Sequence, residues 1–158
     1  MTVDEYVDRL ERNLMVGSVR WITDFSESFR ELSVDGWRFT LMARGAMRTR
    51  GLLLSRLFAT LSLPNYLATC LVYRYPLDRT GLKALLRVVA RHMRDTGTHW
   101  CWIVLPGERP FPADLVRAVE LVDAREVGIA LVDLASRQVF TNPSYIGRRM
   151  KPHVGCFG

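Results

Sequence analysis

Apolar side chains recur along this chain in two different periods, and the period changes from segment to segment. In residues 2 to 15, Val3, Val7, Leu10 and Leu14 fall on one face while Asp4, Asp8, Glu11 and Arg12 fall elsewhere, which predicts an amphipathic helix. After Gly17 a helical spacing continues, with Ile22, Phe25, Phe29 and Leu32 as a stripe, Asp24, Glu27, Arg30 and Glu31 facing water, and Ser18 placed to cap it. A second helix is therefore expected, ended by Gly36, after which "WRFTLMA" alternates as a strand does. Residues 48 to 61, "RTRGLLLSRLFATL", fit either period. The Pro64-Asn65 turn signal between that run and "YLATCLVYRY" favours a strand in both.

Beyond Pro76 the pattern is plainer. A helix is predicted from about Asp78 to Arg94, with Leu82, Leu85, Leu86, Val89 and Met93 apolar and Gly97 ending it. "HWCWIVLP" is a nearly continuous apolar strand, of the kind covered on both faces. "FPADLVRAVELVDA" reads as a helix, "VGIALVDL" as another buried strand, and "ASRQ" as a turn into "VFT". The segment "TNPSYIGRRMKPHVGCFG" starts a short helix, with Asn142 as its N-cap and Pro143 at the first helical position.

Strands alternating with helices at this spacing predict a parallel α/β arrangement with right-handed crossovers. The expected fold is thus α/β, three layers around a mixed central sheet. With 158 residues there is one core to bury. We expect a single domain over residues 1–158, in which 1–17 form an N-terminal helical extension and 142–158 a basic C-terminal tail. A composition of 49% hydrophobic and 24% charged residues disfavours disorder. No apolar run approaches the roughly 18 to 20 residues of a membrane span. The first residues, "MTVDEYVDRLERN", are acidic and amphipathic rather than secretory in pattern. A cytoplasmic protein with no membrane partner is the expectation.

Charge and cysteine usage add to this. The net charge of +6 attracts polyanions, and nearly all of the 22 basic residues are arginine, which grips phosphate with two bonds at once. Few Asn and Gln suggest a heat-adapted source, although the scarcity of lysine departs from the usual thermophile pattern. Cys70, Cys101 and Cys156 have no metal-ligand spacing. Cys70 and Cys101 sit in strand-like runs, so buried free thiols and a disulfide between neighbouring strands both stay open.

The order helix, three strands, helix, strand over residues 18 to 106 resembles the core of the PD-(D/E)XK, or restriction-endonuclease-like, nuclease superfamily. The run "TGTHWCWIVLPGERPFPADLVRAVELVDAREVGIALVDL" is similar to the second half of archaeal proteins of that superfamily. The resemblance implies an acid on one strand and an acid-x-Lys on the next, because two carboxylates hold a magnesium ion and a lysine positions water. Carried onto this chain, the acid-x-Lys falls on Val72-Tyr73-Arg74, and "LLLSRLFATLSL" before it has no acid. Val72 cannot ligate a metal, and an arginine is a poor proton acceptor. No catalytic residue, metal ligand or cofactor is therefore nominated. Glu27 or Glu31 would be a remnant of the helix acid that assists the metal in the family; an exposed face paired with Arg30 is the plainer reading. Asp133 opens a turn and fits a capping role. His92, His99 and His153 are dispersed, and neither a nucleophile elbow nor a phosphate loop occurs.

Positive charge does cluster. Arg44, Arg48 and Arg50 lie within seven residues, Lys83, Arg87, Arg91 and Arg94 make a ridge on the helix after Arg74, and Arg148, Arg149 and Lys151 close the chain. The first reading is a catalytically inactive, nuclease-like protein that binds DNA or RNA, with Arg48, Arg50, Arg74, Arg148, Arg149 and Lys151 on phosphates and Tyr73, Tyr75 and Tyr145 available to stack on bases. The second is a subunit of an oligomer or complex, with Trp21 and Trp37 flanking the second helix in a contact patch. An active metal-dependent nuclease is the third.

Overall fold

The computed structural model describes residues 1–16, 23–47 and 67–157. Helix α1 (Val3–Val16) buries Val3, Tyr6, Val7, Leu10 and Leu14 along one stripe. Its start is a capping box: the Thr2 hydroxyl accepts from the Glu5 amide at 3.2 Å, and the Glu5 carboxylate accepts from the Thr2 amide at 2.8 Å. The helix is thus a wall of the core rather than an extension beside it.

The segment expected as a second helix is a strand. β1 (Thr23–Val34) and β2 (Trp37–Met47) form a long antiparallel hairpin. Asp35 and Gly36 both have positive φ, 48° and 80°, so the pair makes the two-residue turn whose twist suits a hairpin. That turn fixes Val34 opposite Trp37, and pairing with β2 overrides the helical spacing of Phe25, Phe29 and Leu32. Phe25 is buried, but Phe29 is 42% exposed, which an inward helical stripe would not allow.

The remaining elements follow the expected order: β3 (Leu67–Val72), α2 (Arg79–Thr96), β4 (Trp100–Gly107), α3 (Ala113–Glu120), β5 (Val127–Asp133), β6 (Gln138–Thr141) and α4 (Tyr145–Val154). The expected strand in residues 48 to 61 lies outside the described residues. The six strands form one mixed sheet in sequence order, with β3, β4 and β5 parallel and the other neighbours antiparallel.

The parallel strands are apolar on both faces, so both must be covered. Cys70, Val72, Trp102, Val104, Ala130 and Val132 pack with the residues of α1 and α4. Leu71, Cys101, Ile103, Leu105, Ile129 and Leu131 pack with those of α2 and α3. This alternation puts Cys70 and Cys101 on opposite faces of neighbouring strands, and both are free thiols. The disulfide left open by the sequence is therefore ruled out by side-chain direction.

The C-terminal segment is a packed helix rather than a tail. α4 buries Ile146, Met150 and Val154. Gly128 lets it approach β5: a Cβ there would stand 2.6 Å from Met150 Sδ and 2.8 Å from Ile146 Cγ2. Its N-cap is Ser144, whose Oγ accepts from the Gly147 amide at 2.9 Å, and not Asn142 as the sequence suggests. Asn142 is instead wholly buried, accepting from the Ile129 amide at 2.8 Å and donating to the Val127 carbonyl at 3.0 Å.

Asn142→Ala strands the Ile129 amide in the core and should cost about 2–3 kcal/mol, against about 1 kcal/mol for Ser144→Ala. Urea unfolding followed by circular dichroism measures both, and equal midpoints for Asn142→Ala and the parent would contradict this role.

Candidate nucleic-acid interface

In open α/β sheets a ligand crevice opens beyond the carboxyl ends of the parallel strands. Here that end carries Tyr73, Arg74 and Tyr75 after β3, and Glu108 and Arg109 after β4. They border a hollow of about 560 Å³ with Leu77 and Phe111. Tyr73 is the centre of an aromatic group, with ring centroids 5.1 Å from Trp37, 5.9 Å from Phe39 and 5.4 Å from Tyr75. Partial burial, aided by Tyr75, raises the Tyr73 hydroxyl above the ordinary phenol range and keeps it neutral. Trp37 therefore starts β2 and joins this group rather than flanking a helix; Trp21 lies outside the described residues.

Arg74 does not stand free in the crevice. Its Nη1 donates to Asp4 Oδ1 at 2.5 Å, from the first turn of α1. Glu108, a carboxylate lining this hollow, accepts from the Val3 amide at 2.9 Å. Val72 is fully buried in the α1–α4 layer, and neither described neighbour of β3, β2 or β4, carries an acid. Among the described residues no group of three or more His, Cys, Asp or Glu side chains gathers where it could hold a metal ion. Asp4 and Glu108 were not singled out from sequence. The cue for Glu108 and Arg109 was their place directly after a buried parallel strand.

The other acids singled out from sequence lie elsewhere. Glu27 and Glu31 lie on β1 and not on a helix, and Glu31 pairs with Arg38 across the hairpin at 2.7 Å. Arg30 pairs instead with Asp8 and Glu11 of α1. Asp133 caps its turn, accepting from the Ala135 and Ser136 amides at 2.9 and 3.0 Å. Desolvation works against its charge, but the bonds from Ser136 and Ala135 prevail and hold the carboxyl below its usual range. Among the histidines, burial and then Arg44 lower the His92 pKa, while the His153 ring lies parallel to Trp102 at 6.4 Å.

The basic residues fall into separate places. Arg48 and Arg50 lie outside the described residues. Arg148 and Arg149 follow Gly147, which packs on the second residue of β5, so they lie at the amino ends of the parallel strands, opposite Arg74. Arg148 donates to the Pro143 carbonyl at 2.7 Å, and Arg149 sits 5.3 Å from the centre of the Tyr145 ring. Lys151 is exposed on the same helix. Of the six residues expected on phosphates, the four that are described are thus not one surface.

The α2 ridge is one surface. Lys83, Arg87, Arg91 and Arg94 are all exposed, and Arg79 extends them by one further turn. Only Arg91 among these five has a carboxylate partner among the described residues, Asp35 at 3.4 Å. α2 contains one acid, Asp95, whereas α1 in the opposite layer carries Asp4, Glu5, Asp8 and Glu11. α1 also carries Arg9 and Arg12, and α4 beside it carries Arg148, Arg149 and Lys151, so what distinguishes α2 is five exposed cations against one acid on a single helix. No helix among the described residues is long and apolar enough to cross a membrane. Compared with known proteins, the chain matches no family model, no curated protein and no solved structure.

For Asp133 the sign of the pH effect follows from its lowered pKa. The turn bonds add stability above the unfolded-state carboxyl pKa, and this is lost as pH falls through the folded-state value. Asp133→Asn should therefore destabilise the protein near neutrality, with the gap to the parent closing in acid. Thermal melts of both proteins across that range test this; a gap that widens in acid would contradict it.

Proposed function

We propose that this protein binds a nucleic-acid backbone through the outer face of α2 and does not cleave it. The observation that carries this reading is the gathering of five exposed cations on one face of α2, a helix with a single acid. From Arg79 to Arg94 the face runs about 22 Å, long enough to follow some six nucleotides of one strand. Arginine suits the task because its planar fork meets phosphate oxygens in pairs.

The nuclease-like part of the proposal rests on element order and on the residues at β3. α1, β1, β2, β3, α2 and β4 run helix, three strands, helix, strand. That is the order of the restriction-endonuclease-like core, carried by residues 3–107 rather than by 18–106. In that alignment Val72 stands in the acid position, Arg74 in the lysine position, and Asp4 on the first helix is engaged by Arg74. The carboxylates such a nuclease needs for its cation are not on β2 or β3, so the reading is binding without hydrolysis.

Fluorescence anisotropy with labelled 20-nucleotide single strands, titrated from 20 to 200 mM salt, tests the proposal. Five neutralised phosphates predict a slope of log K against log salt of about −3.5. Arg87→Gln with Arg91→Gln should weaken binding and flatten the slope by about 1.4, whereas Arg148→Gln with Arg149→Gln should leave it nearly unchanged. Absence of association at low salt, or a slope indifferent to Arg87 and Arg91, would overturn the proposal. So would cleavage of the strand in magnesium or manganese.

A further inference from the structure

Among the described residues, the flank of α2 that faces α3 is apolar and incompletely covered. α2 spans 18 residues and α3 only eight, so α3 ends while α2 continues. Two hollows result, of about 560 and 710 Å³, and Leu86 lines both, which makes them one groove. Along α2 its wall is Leu82, Leu86, Ala90 and Met93, a stripe at helical spacing. The opposite wall includes Leu121, which is 71% exposed, and Val122. From Leu82 to Met93 the groove runs about 16 Å, or three turns of a helix.

Its rim is charged predominantly with one sign. Arg79, Lys83, Arg94 and Arg117 border it, against Asp114 and Glu126. We infer that this groove takes an amphipathic helix of a partner protein, with its apolar side on Leu86 and Leu121 and acidic residues on its flanks. An apolar floor with a cationic border suits a helix laid in a groove. It does not suit a nucleic-acid backbone, which needs polar contacts throughout. A second copy of this chain is disfavoured by its net charge of +6. Among the described residues, the net-acidic amphipathic helices α1 and α3 already bury their own apolar faces.

The groove shares Arg79, Lys83 and Arg94 with the outer ridge, but Arg87 and Arg91 do not line it and Leu121 is not on the ridge, so these residues tell the two sites apart. Selection of a displayed library of 16-residue helical peptides against the intact protein provides the test. Enriched peptides should carry apolar residues at i, i+3 or i+4 and i+7 with Asp or Glu beside them. They should bind Leu121→Asp at least about tenfold more weakly. Arg117→Glu should remove the preference for acidic flanks. Leu121→Asp should leave oligonucleotide binding unchanged, so a loss on Arg87 and Arg91 and a loss on Leu121 are told apart. The inference is overturned if no peptide is enriched, if the enriched peptides are basic or lack the apolar spacing, or if Leu121→Asp binds them equally. Self-association of the protein that Leu121→Asp abolishes would assign the groove to a second copy and overturn it as well.

Discussion

The constraint on which the structure depends is two-sided burial of the three parallel strands. β3, β4 and β5 offer apolar side chains to both faces, and a strand of that kind is stable only between two layers. Helices must therefore be divided between the faces, and α1 and α4 take one while α2 and α3 take the other. The sheet stands between α2 and the acids of α1, of which Asp4 pairs with Arg74 and Asp8 and Glu11 with Arg30 on their own side, so the cations of α2 stay exposed. The exposure of the basic face of α2 is thus a consequence of how the core is packed.

The same constraint explains why the crevice at the strand ends is quiet. In an α/β sheet that crevice is where chemistry is usually assembled. Here α1 reaches it from one side, and its first turn engages two of the charged groups there: Asp4 with Arg74, and the Val3 amide with Glu108. The aromatic group around Tyr73 fills the space toward the hairpin. What remains is a hollow with paired charges and a stacking surface, suited to contact more than to proton transfer.

The elements of residues 78 to 141 were legible because period, length and punctuation agreed: the Asp78 cap, Gly97 at the end of α2, and continuous apolar runs in β4 and β5. β1 was not, because Phe25, Phe29 and Leu32 satisfy a helical spacing by coincidence. The contrary signal was present in Asp35-Gly36, a hairpin turn between two alternating runs. Asn142 was misread for a different reason. It stands just before a proline, where a cap is a sensible expectation, yet its amide was needed to close the open end of β5. Of the candidate site, the α2 ridge could be read directly, since its four- and three-residue steps are local. The Arg74 pair and the groove could not. One joins residues 70 positions apart, and the other depends on where α3 stops beside α2.

The most direct measurement of the central claim is a nuclear magnetic resonance titration of the isotopically labelled protein with a short single strand, observing backbone amides and arginine side chains together. The account predicts that perturbations gather on α2, at Lys83, Arg87, Arg91 and Arg94, and leave α1 and α4 unmoved. The largest perturbations on α4, around Arg148 and Arg149, or at the strand ends around Arg74, would contradict it.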